Sequence, residues 1–328
     1  MFYLVAAVEC LAVNFLVWLC ASLLCLPGSR LILKLTRHRH PGTAANSLFA
    51  VRILPAALAT ISAIIFALPA FLLFEPRPSN DYVGPLQIAI AASGGLIYAI
   101  MIFRAVRALR ASLLVEKYWK ARSHRIQLPG VDAPAYSVNG IPSLFVVTGT
   151  LRPCVFVGRE IIEELSAEEM AAAAGHEMAH IRSRDNLKQL LLDISRPPAW
   201  LMRLGIDDNL WMDTVELAAD HSTLSAGNAP LQLASALLKV GRLRSSFTAH
   251  FAASGAHLVS AHCSPRLENR VTHLIALADQ DFHARAQQFS RRMLFALAIT
   301  GTALFILSYA ATAPVMLRFV EEALDVLF

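Results

Sequence analysis

Long apolar stretches alternate with short basic segments along the chain, and they predict membrane-spanning helices. The apolar stretches cover Phe2–Leu26, Leu48–Phe74, Tyr82–Phe103 and Met293–Leu317. An apolar helix needs about 20 residues to cross the hydrocarbon core of a bilayer. We therefore predict four membrane-spanning helices. The first is interpreted as an anchor, because its apolar run is too long for the core of a cleaved signal peptide.

The basic residues predict how these helices are oriented. Arg30 and Lys34 follow the first stretch, and Arg104 and Arg107 follow the third, whereas the loop between the second and third stretches has no basic excess. Lys and Arg concentrate in the cytoplasmic segments that flank membrane spans. We therefore expect a multi-pass protein of the cell (inner) membrane with both termini outside and residues 104–292 in the cytoplasm.

The segment between the third and fourth apolar stretches has the pattern of a small α+β domain. Three short β-prone stretches come first and several helices follow, with an apolar segment at 186–205 that is read as a core or membrane-surface helix. The fold class predicted is an α-helical multi-pass membrane protein with an α+β cytoplasmic domain. Its predicted parts are an N-terminal membrane domain (1–103), the cytoplasmic domain (104–292) and a C-terminal span with a short outer tail (293–328).

Composition narrows the classes of function. Apolar residues make up 56% of the chain and charged residues 16%, against about 45–50% and 25% in soluble domains. This excludes intrinsic disorder and makes the lipid bilayer a partner. The five cysteines include no CxxC pair, which argues against a disulfide framework and a cysteine metal site. The basic residues bracket apolar runs, so we expect no direct binding to nucleic acid.

The segment His176-Glu-Met-Ala-His180 is an HExxH motif on a predicted helix. The helix has a capping box, with Ser166 at the N-cap and Glu169 three residues later. Histidines at i and i+4 lie on one face of a helix, so both can bind one metal ion. Glu177 then lies where it can take a proton from a metal-bound water. Nitrogen ligands with a catalytic carboxylate favour Zn²⁺.

A second acidic motif offers the remaining ligand. Glu216 and Asp220 are one helical turn apart in the segment Glu-Leu-Ala-Ala-Asp. Glu216 would complete a His₂Glu site with one coordination position left for water. Asp220 would orient a ligand imidazole through its other nitrogen. His221 and Arg270 are candidates for contacts with the substrate or the transition state.

The motifs together resemble those of the BlaR/MecR-type membrane metallopeptidases of the gluzincin group. The similar stretches are Gly149–Gly158, Leu165–Glu169, Gly175–Asn186 and Ser264–Arg270. The resemblance implies a zinc-dependent endopeptidase whose active site is on the cytoplasmic side. It also implies that an edge strand pairs with an extended substrate, and Ser143–Val147 and Pro153–Val157 are the candidates. We expect the extracytoplasmic sensor domain of those relatives to be absent.

Three functions remain open at this point. The leading hypothesis is an endopeptidase that hydrolyses peptide bonds of a protein substrate in regulated proteolysis or signalling, with a cytoplasmic repressor as one candidate substrate. The first alternative is a quality-control protease similar to HtpX, since the acidic motif also resembles that of HtpX and CAAX-processing proteases. The second is a non-catalytic signalling or scaffold protein that retains the zinc fold.

Overall fold

The computed structural model describes residues 2–25, 28–36, 40–74, 83–141, 144–198, 208–227, 229–251 and 265–278. These residues all belong to one compact unit, Met1–Asp281. The fourth predicted span, Met293–Leu317, and Cys263 lie outside the described residues. The prediction of that span is therefore not tested.

Long helices form the N-terminal part of the unit. They are α1 (Phe2–Cys25), α2 (Gly28–Thr36), α3 (Pro41–Ile61), a π-helical segment (Ser62–Ala67), α4 (Leu68–Phe74) and α5 (Pro85–Lys120). Within the described residues, three helical stretches are long and apolar enough to cross a membrane: Tyr3–Cys25, Pro41–Leu72 and Pro85–Lys120. The three N-terminal predicted spans thus correspond to apolar helices, which indicate a membrane protein.

Small and polar residues allow these helices to pack closely. A Cβ at Gly94 of α5 would collide with the carbonyl oxygen of Leu11, so only glycine fits where α1 crosses α5. Nearby, Nδ2 of Asn14 donates to Oη of Tyr98 over 2.7 Å, and Oη of Tyr98 donates to Oγ1 of Thr60 over 3.2 Å. Polar groups that bond to one another across helices are typical of membrane bundles, where small residues let the backbones approach.

Helix α5 is longer than a membrane span requires. Its 36 residues extend for about 54 Å, at 1.5 Å per residue, whereas the hydrocarbon core measures about 30 Å. The helix that contains the third predicted span, Tyr82–Phe103, continues as far as Lys120. A strand that the sequence pattern did not predict, β1 (Ser123–Ile126), follows the helix and begins the sheet.

Four short strands form a mixed sheet after α5. The others are β2 (Ala135–Val138), β3 (Phe145–Thr148) and β4 (Cys154–Gly158), and the order across the sheet is β1-β2-β4-β3. Strand β4 pairs in parallel with β2 and antiparallel with β3. The candidate edge strand Pro153–Val157 was therefore wrong, because β4 is interior and fully buried. Strand β3, which overlaps the other candidate Ser143–Val147, lies at an edge of the sheet.

The remaining described helices pack against this sheet and against one another. They are α6 (Arg159–Glu164), α7 (Ala167–Ser183), α8 (Asp185–Ile194), α9 (Asp208–Ser225), α10 (Pro230–Phe251) and α11 (Pro265–Ala278). The capping box is confirmed: Ser166 and Glu169 exchange both hydrogen bonds at the start of α7. Helix α8 has ten residues, which is too short to span a bilayer. The rest of the apolar segment 186–205, from residue 199 onward, lies outside the described residues.

Candidate metal centre

Helix α7 brings the two motif histidines into contact. The rings of His176 and His180 are 4.7 Å apart between centroids and nearly perpendicular, at 87°. Their Nε2 atoms lie 3.1 Å apart. This follows from the i, i+4 spacing, which places both side chains on one face one turn apart. That face is buried or half-buried, because α7 packs against β3 and α9.

Helix α9 brings Glu216 to the same point. Its Oε2 lies 3.4 Å from Nε2 of His176, and its Oε1 lies 3.7 Å from Nε2 of His180. Within the described residues, these three side chains are the group whose ligand atoms lie close enough together to hold one metal ion. The sequence prediction placed the same three residues at one site.

A carboxylate engages the Nδ1 atom of each imidazole. Oδ1 of Asp220 lies 2.9 Å from Nδ1 of His176, and Oδ2 of Asp185 lies 2.9 Å from Nδ1 of His180. A carboxylate accepts hydrogen bonds, so this arrangement assigns the proton of each neutral imidazole to Nδ1. Each Nε2 then carries a lone pair directed toward the other histidine. Two lone pairs 3.1 Å apart are satisfied by a shared cation.

The spacing of the ligand atoms fits zinc. Two nitrogen ligands at 2.0–2.1 Å from Zn²⁺ in tetrahedral geometry are about 3.3 Å apart. The three ligand-to-ligand distances are 3.1, 3.4 and 3.7 Å. Two imidazoles, one carboxylate and an open position also match the donor set of catalytic zinc sites. His176, His180 and Glu216 are therefore the residues that would hold the ion.

Arg270 of α11 holds the two acidic residues of α9 together. Its Nε and Nη2 donate to the two carboxylate oxygens of Asp220 over 2.8 and 2.6 Å, and its Nη1 donates to Oε2 of Glu216 over 2.6 Å. Nη2 also lies 3.4 Å from Nε2 of His176. Two parallel hydrogen bonds from a guanidinium give strong and directional recognition of a carboxylate. A contact of Arg270 with substrate stays a prediction.

The electrostatic environment of the site is negative. Burial acts to lower the pKa of His176, but the hydrogen bonds that its ring donates to the carboxylates of Asp220 and Glu216 outweigh burial and raise that pKa to about 9. Burial acts to raise the pKa of Glu216, but its hydrogen bond with His176 and the charges of His176 and Arg270 lower that pKa below its ordinary value. Ionised carboxylates favour positive charge between them, and a divalent cation supplies it.

Glu177 lies next to the first ligand on α7 and is half-buried. Burial raises the pKa of its carboxyl group above the ordinary value, although the nearby His180 and His176 act in the opposite direction. A carboxylate with a raised pKa is a better general base near neutral pH. Its environment therefore suits it for proton transfer.

His221 packs against a histidine at the start of another helix. It follows Asp220 on α9, and its ring packs edge-on against His40, with centroids 4.3 Å apart. His40 caps the start of α3, where its Nδ1 accepts a hydrogen bond from the backbone of Gly42. Burial lowers the pKa of both imidazoles, and each is therefore more often neutral. A contact of His221 with substrate stays a prediction.

Sequence reasoning assigned no role to the first two residues of α8, Asp185 and Asn186. Asp185 binds His180, as described above, and Nδ2 of Asn186 donates to the carbonyl oxygens of Val147 and Gly149 over 3.1 Å each. Arg184, in the left-handed region with φ of 55°, breaks the helix between α7 and α8. This break turns Asp185 back toward His180. Asp185 and Asn186 belong to the stretch Gly175–Asn186, whose resemblance to the family's motif was the signal in the sequence that could have found them.

The site lies within a region that matches a known family. Residues 145–243 match peptidase family M48. The matched region runs from β3 into α10 and contains the HExxH motif and Glu216. It supports a metallopeptidase domain of the zincin type, and metallopeptidases of this family use a metal. The narrower resemblance to BlaR/MecR-type enzymes stays a prediction. No curated protein shows a significant match to the chain.

Proposed function

We propose that the chain is a zinc-dependent endopeptidase of the cell membrane that hydrolyses peptide bonds of a protein substrate at the cytoplasmic face. The observation that carries the proposal is the His176, His180 and Glu216 cluster with Glu177 beside it. The M48 match supports peptidase chemistry, and the three apolar helices support a membrane location. The excess of Lys and Arg after the first and third spans supports a cytoplasmic site.

The residues around the cluster suggest how the reaction proceeds. Zinc, when bound, supplies a Lewis acid that lowers the pKa of a water molecule and polarises the scissile carbonyl. Glu177 takes a proton from the attacking water and delivers it to the leaving amine. Asp220 and Asp185 hold the imidazoles with Nε2 directed inward. Arg270 keeps Glu216 in place through its Nη1 hydrogen bond.

Strand β3 is the proposed site for the substrate backbone. It lies at the edge of the sheet and packs against α7, where Val147 shares a core cluster with Met170 and Ile181. The backbone N–H of Gly158 donates to the carbonyl of Leu144. Hydrogen-bonded pairs alternate along an antiparallel ladder, so the backbone groups of Phe145 point away from β4. An extended peptide can pair with such an edge.

The Glu177→Gln variant tests the catalytic proposal. We expect it to bind as much zinc as the unmodified protein but to lose cleavage by several orders of magnitude, because the glutamine cannot accept the proton. Asp220→Asn should cost less, about 10–100-fold, since it acts through the orientation of His176. The measurements are zinc content by elemental analysis and cleavage of proteins that co-purify with Glu177→Gln. Cleavage that survives Glu177→Gln would refute the catalytic role of Glu177, whereas a cellular phenotype that survives the loss of cleavage would favour a scaffold role.

The proteins trapped by Glu177→Gln also identify the role. A soluble regulator among them supports regulated proteolysis, whereas damaged membrane proteins support quality control. Loss of cleavage with 1,10-phenanthroline and its return with added zinc would show that the metal is required. Cleavage that resists the chelator but is blocked by a serine-directed reagent would contradict the metallopeptidase mechanism.

A further inference from the structure

A polar bridge connects α3, within the second membrane-spanning candidate, to the second histidine of the motif. Nζ of Lys188 on α8 donates to Oδ1 of Asn46 on α3 over 2.8 Å. The same Nζ lies 3.4 Å from Oδ1 of Asp185. The other oxygen of Asp185 lies 2.9 Å from Nδ1 of His180. Three contacts therefore lead from α3 to an imidazole that would bind the metal.

The Lys188–Asp185 end of the bridge is largely buried, whereas Asn46 is exposed on α3. The side chains of Lys188 and Asp185 are only 17% and 11% exposed. A buried ammonium group is costly unless hydrogen bonds and an opposite charge compensate for its lost hydration. Asp185 supplies the charge and Asn46 supplies a neutral acceptor from a distant part of the chain. The lysine thus has a defined position between α3 and Asp185.

The same part of α3 also contacts the helix of the third ligand. Ala45 and Leu48 are buried in a cluster with Trp211 and Val215 of α9. Val215 immediately precedes Glu216 in the chain. The second and third turns of α3 therefore pack against the Glu216 helix and reach His180 through Lys188. Since the candidate span Pro41–Leu72 has 32 residues, or about 48 Å of helix, these turns can extend beyond the hydrocarbon core.

We propose that Asn46 and Lys188 are positioning residues of the metal centre, through which α3 holds His180 in its metal-binding orientation. The inference rests on the proposed metallopeptidase function, since it concerns the same site. Asp185 can direct Nε2 of His180 inward only while Asp185 itself is held. A displacement of α3 in the membrane would therefore alter the geometry of a ligand, and this gives membrane events a direct physical route to the metal.

The test uses the full chain in detergent micelles, with zinc alone and cobalt alone as probes. We expect Lys188→Met and Asn46→Ala to weaken zinc binding about 3- to 10-fold, less than the 10–100-fold typical of residues that contact a ligand directly. Both variants should also change the visible spectrum of the cobalt-loaded protein, because that spectrum reports coordination geometry. Lys188→Arg should keep the zinc affinity and the cobalt spectrum of the unmodified protein, since a guanidinium can also donate to Asn46 and Asp185.

A matched control separates positioning from general destabilisation. Lys239 of α10 donates to Oε2 of Glu169 over 2.8 Å, so Lys239→Met removes a similar lysine–carboxylate pair far from His180. We expect Lys239→Met to leave zinc affinity and the cobalt spectrum unchanged. The double variant of Asn46 and Lys188 should bind zinc no more weakly than the weaker single variant, since both act through one bridge.

Two results would overturn the inference while leaving the proposed function intact. One is a zinc affinity and cobalt spectrum for Lys188→Met that equal those of the unmodified protein. The other is an equal loss in Lys239→Met, which would attribute the effect to stability. Failure of the unmodified protein to bind zinc would overturn the proposed function and the inference together.

Discussion

Two carboxylates, Asp220 and Asp185, determine which nitrogen of each histidine faces the candidate metal centre. Each of them is bound in turn by a basic side chain: Arg270 donates to Asp220, and Lys188 contacts Asp185. A neighbouring cation favours the ionised form of a carboxylate and so strengthens its bond to the imidazole. The two imidazoles therefore have partners of the same kind, which come from different elements of the fold.

The sequence revealed only one of these two carboxylates. Asp220 could be predicted because it lies one helical turn from Glu216, and this relation is local. The role of Asp185 depends on the left-handed conformation of Arg184, which an arginine adopts at a cost of about 1–2 kcal/mol and which no propensity predicts. The partners of Arg270 could not be predicted either, because they depend on how α11 packs against α9.

Glu169 allows a prediction about stability and pH. Its side chain is only 10% exposed, and its carboxylate accepts hydrogen bonds from Ser235 and Lys239. Burial acts to raise its pKa, but these bonds and the charge of Lys239 lower it to about 2, from an ordinary value of 4.5. Because the folded-state pKa is lowered, the stabilisation is fully present above about pH 4.5 and is lost as the pH falls toward 2.

We expect Glu169→Gln to lower the free energy of unfolding by about 1–3 kcal/mol at pH 7, because a buried charge-assisted hydrogen bond is weakened. Glutamine can still complete the capping box, so the loss isolates the charge. The difference in melting temperature between the variant and the unmodified protein should shrink as the pH falls below 4.5. A difference that stays constant down to pH 3 would contradict the ion pair.

At the level of elements, helices were predicted more reliably than the order of the strands. The start of α7 follows from the capping box, and the turn between β3 and β4 follows from Gly149, whose φ of 86° suits glycine. Both signals are local. That β4 lies between β2 and β3 depends on contacts distant in the chain, so the sequence left two candidates for the edge strand.

The edge position of β3 gives a prediction about substrate binding. We expect Phe145→Pro to reduce kcat/KM about 2- to 10-fold relative to Phe145→Ala, because only the proline removes the backbone donor that points away from β4. Both variants lose the aromatic ring, so the comparison isolates the backbone. The measurement is the cleavage rate of a trapped substrate at equal zinc content. Equal rates in the two variants would contradict pairing of the substrate with β3.

At the level of the whole molecule, two of the membrane-spanning candidates connect to the part of the chain that contains the candidate metal centre, one through α3 and the other through α5. Helix α5 continues without a break to Lys120 and leads into the sheet through β1. Helix α3 packs against α9 through Ala45 and Leu48. The apolar runs predicted the spans from composition alone, but neither contact of α3 could be predicted, since Asn46 and Lys188 are separated by 142 positions.

Reporter fusions test the predicted topology of the chain. Reporters inserted at residues 37–39 or at Gly130 should be active in the cytoplasm, and reporters at residue 79 or at the C-terminus should be active only outside. The physical reason is the Lys and Arg excess that follows the first and third spans and precedes the fourth. Replacement of Arg104, Arg107 and Arg110 by glutamine should lower the fraction of chains with this orientation. This variant tests whether the positive charge after the third span determines the orientation. A C-terminal reporter that is active in the cytoplasm would mean that the number of spans is odd.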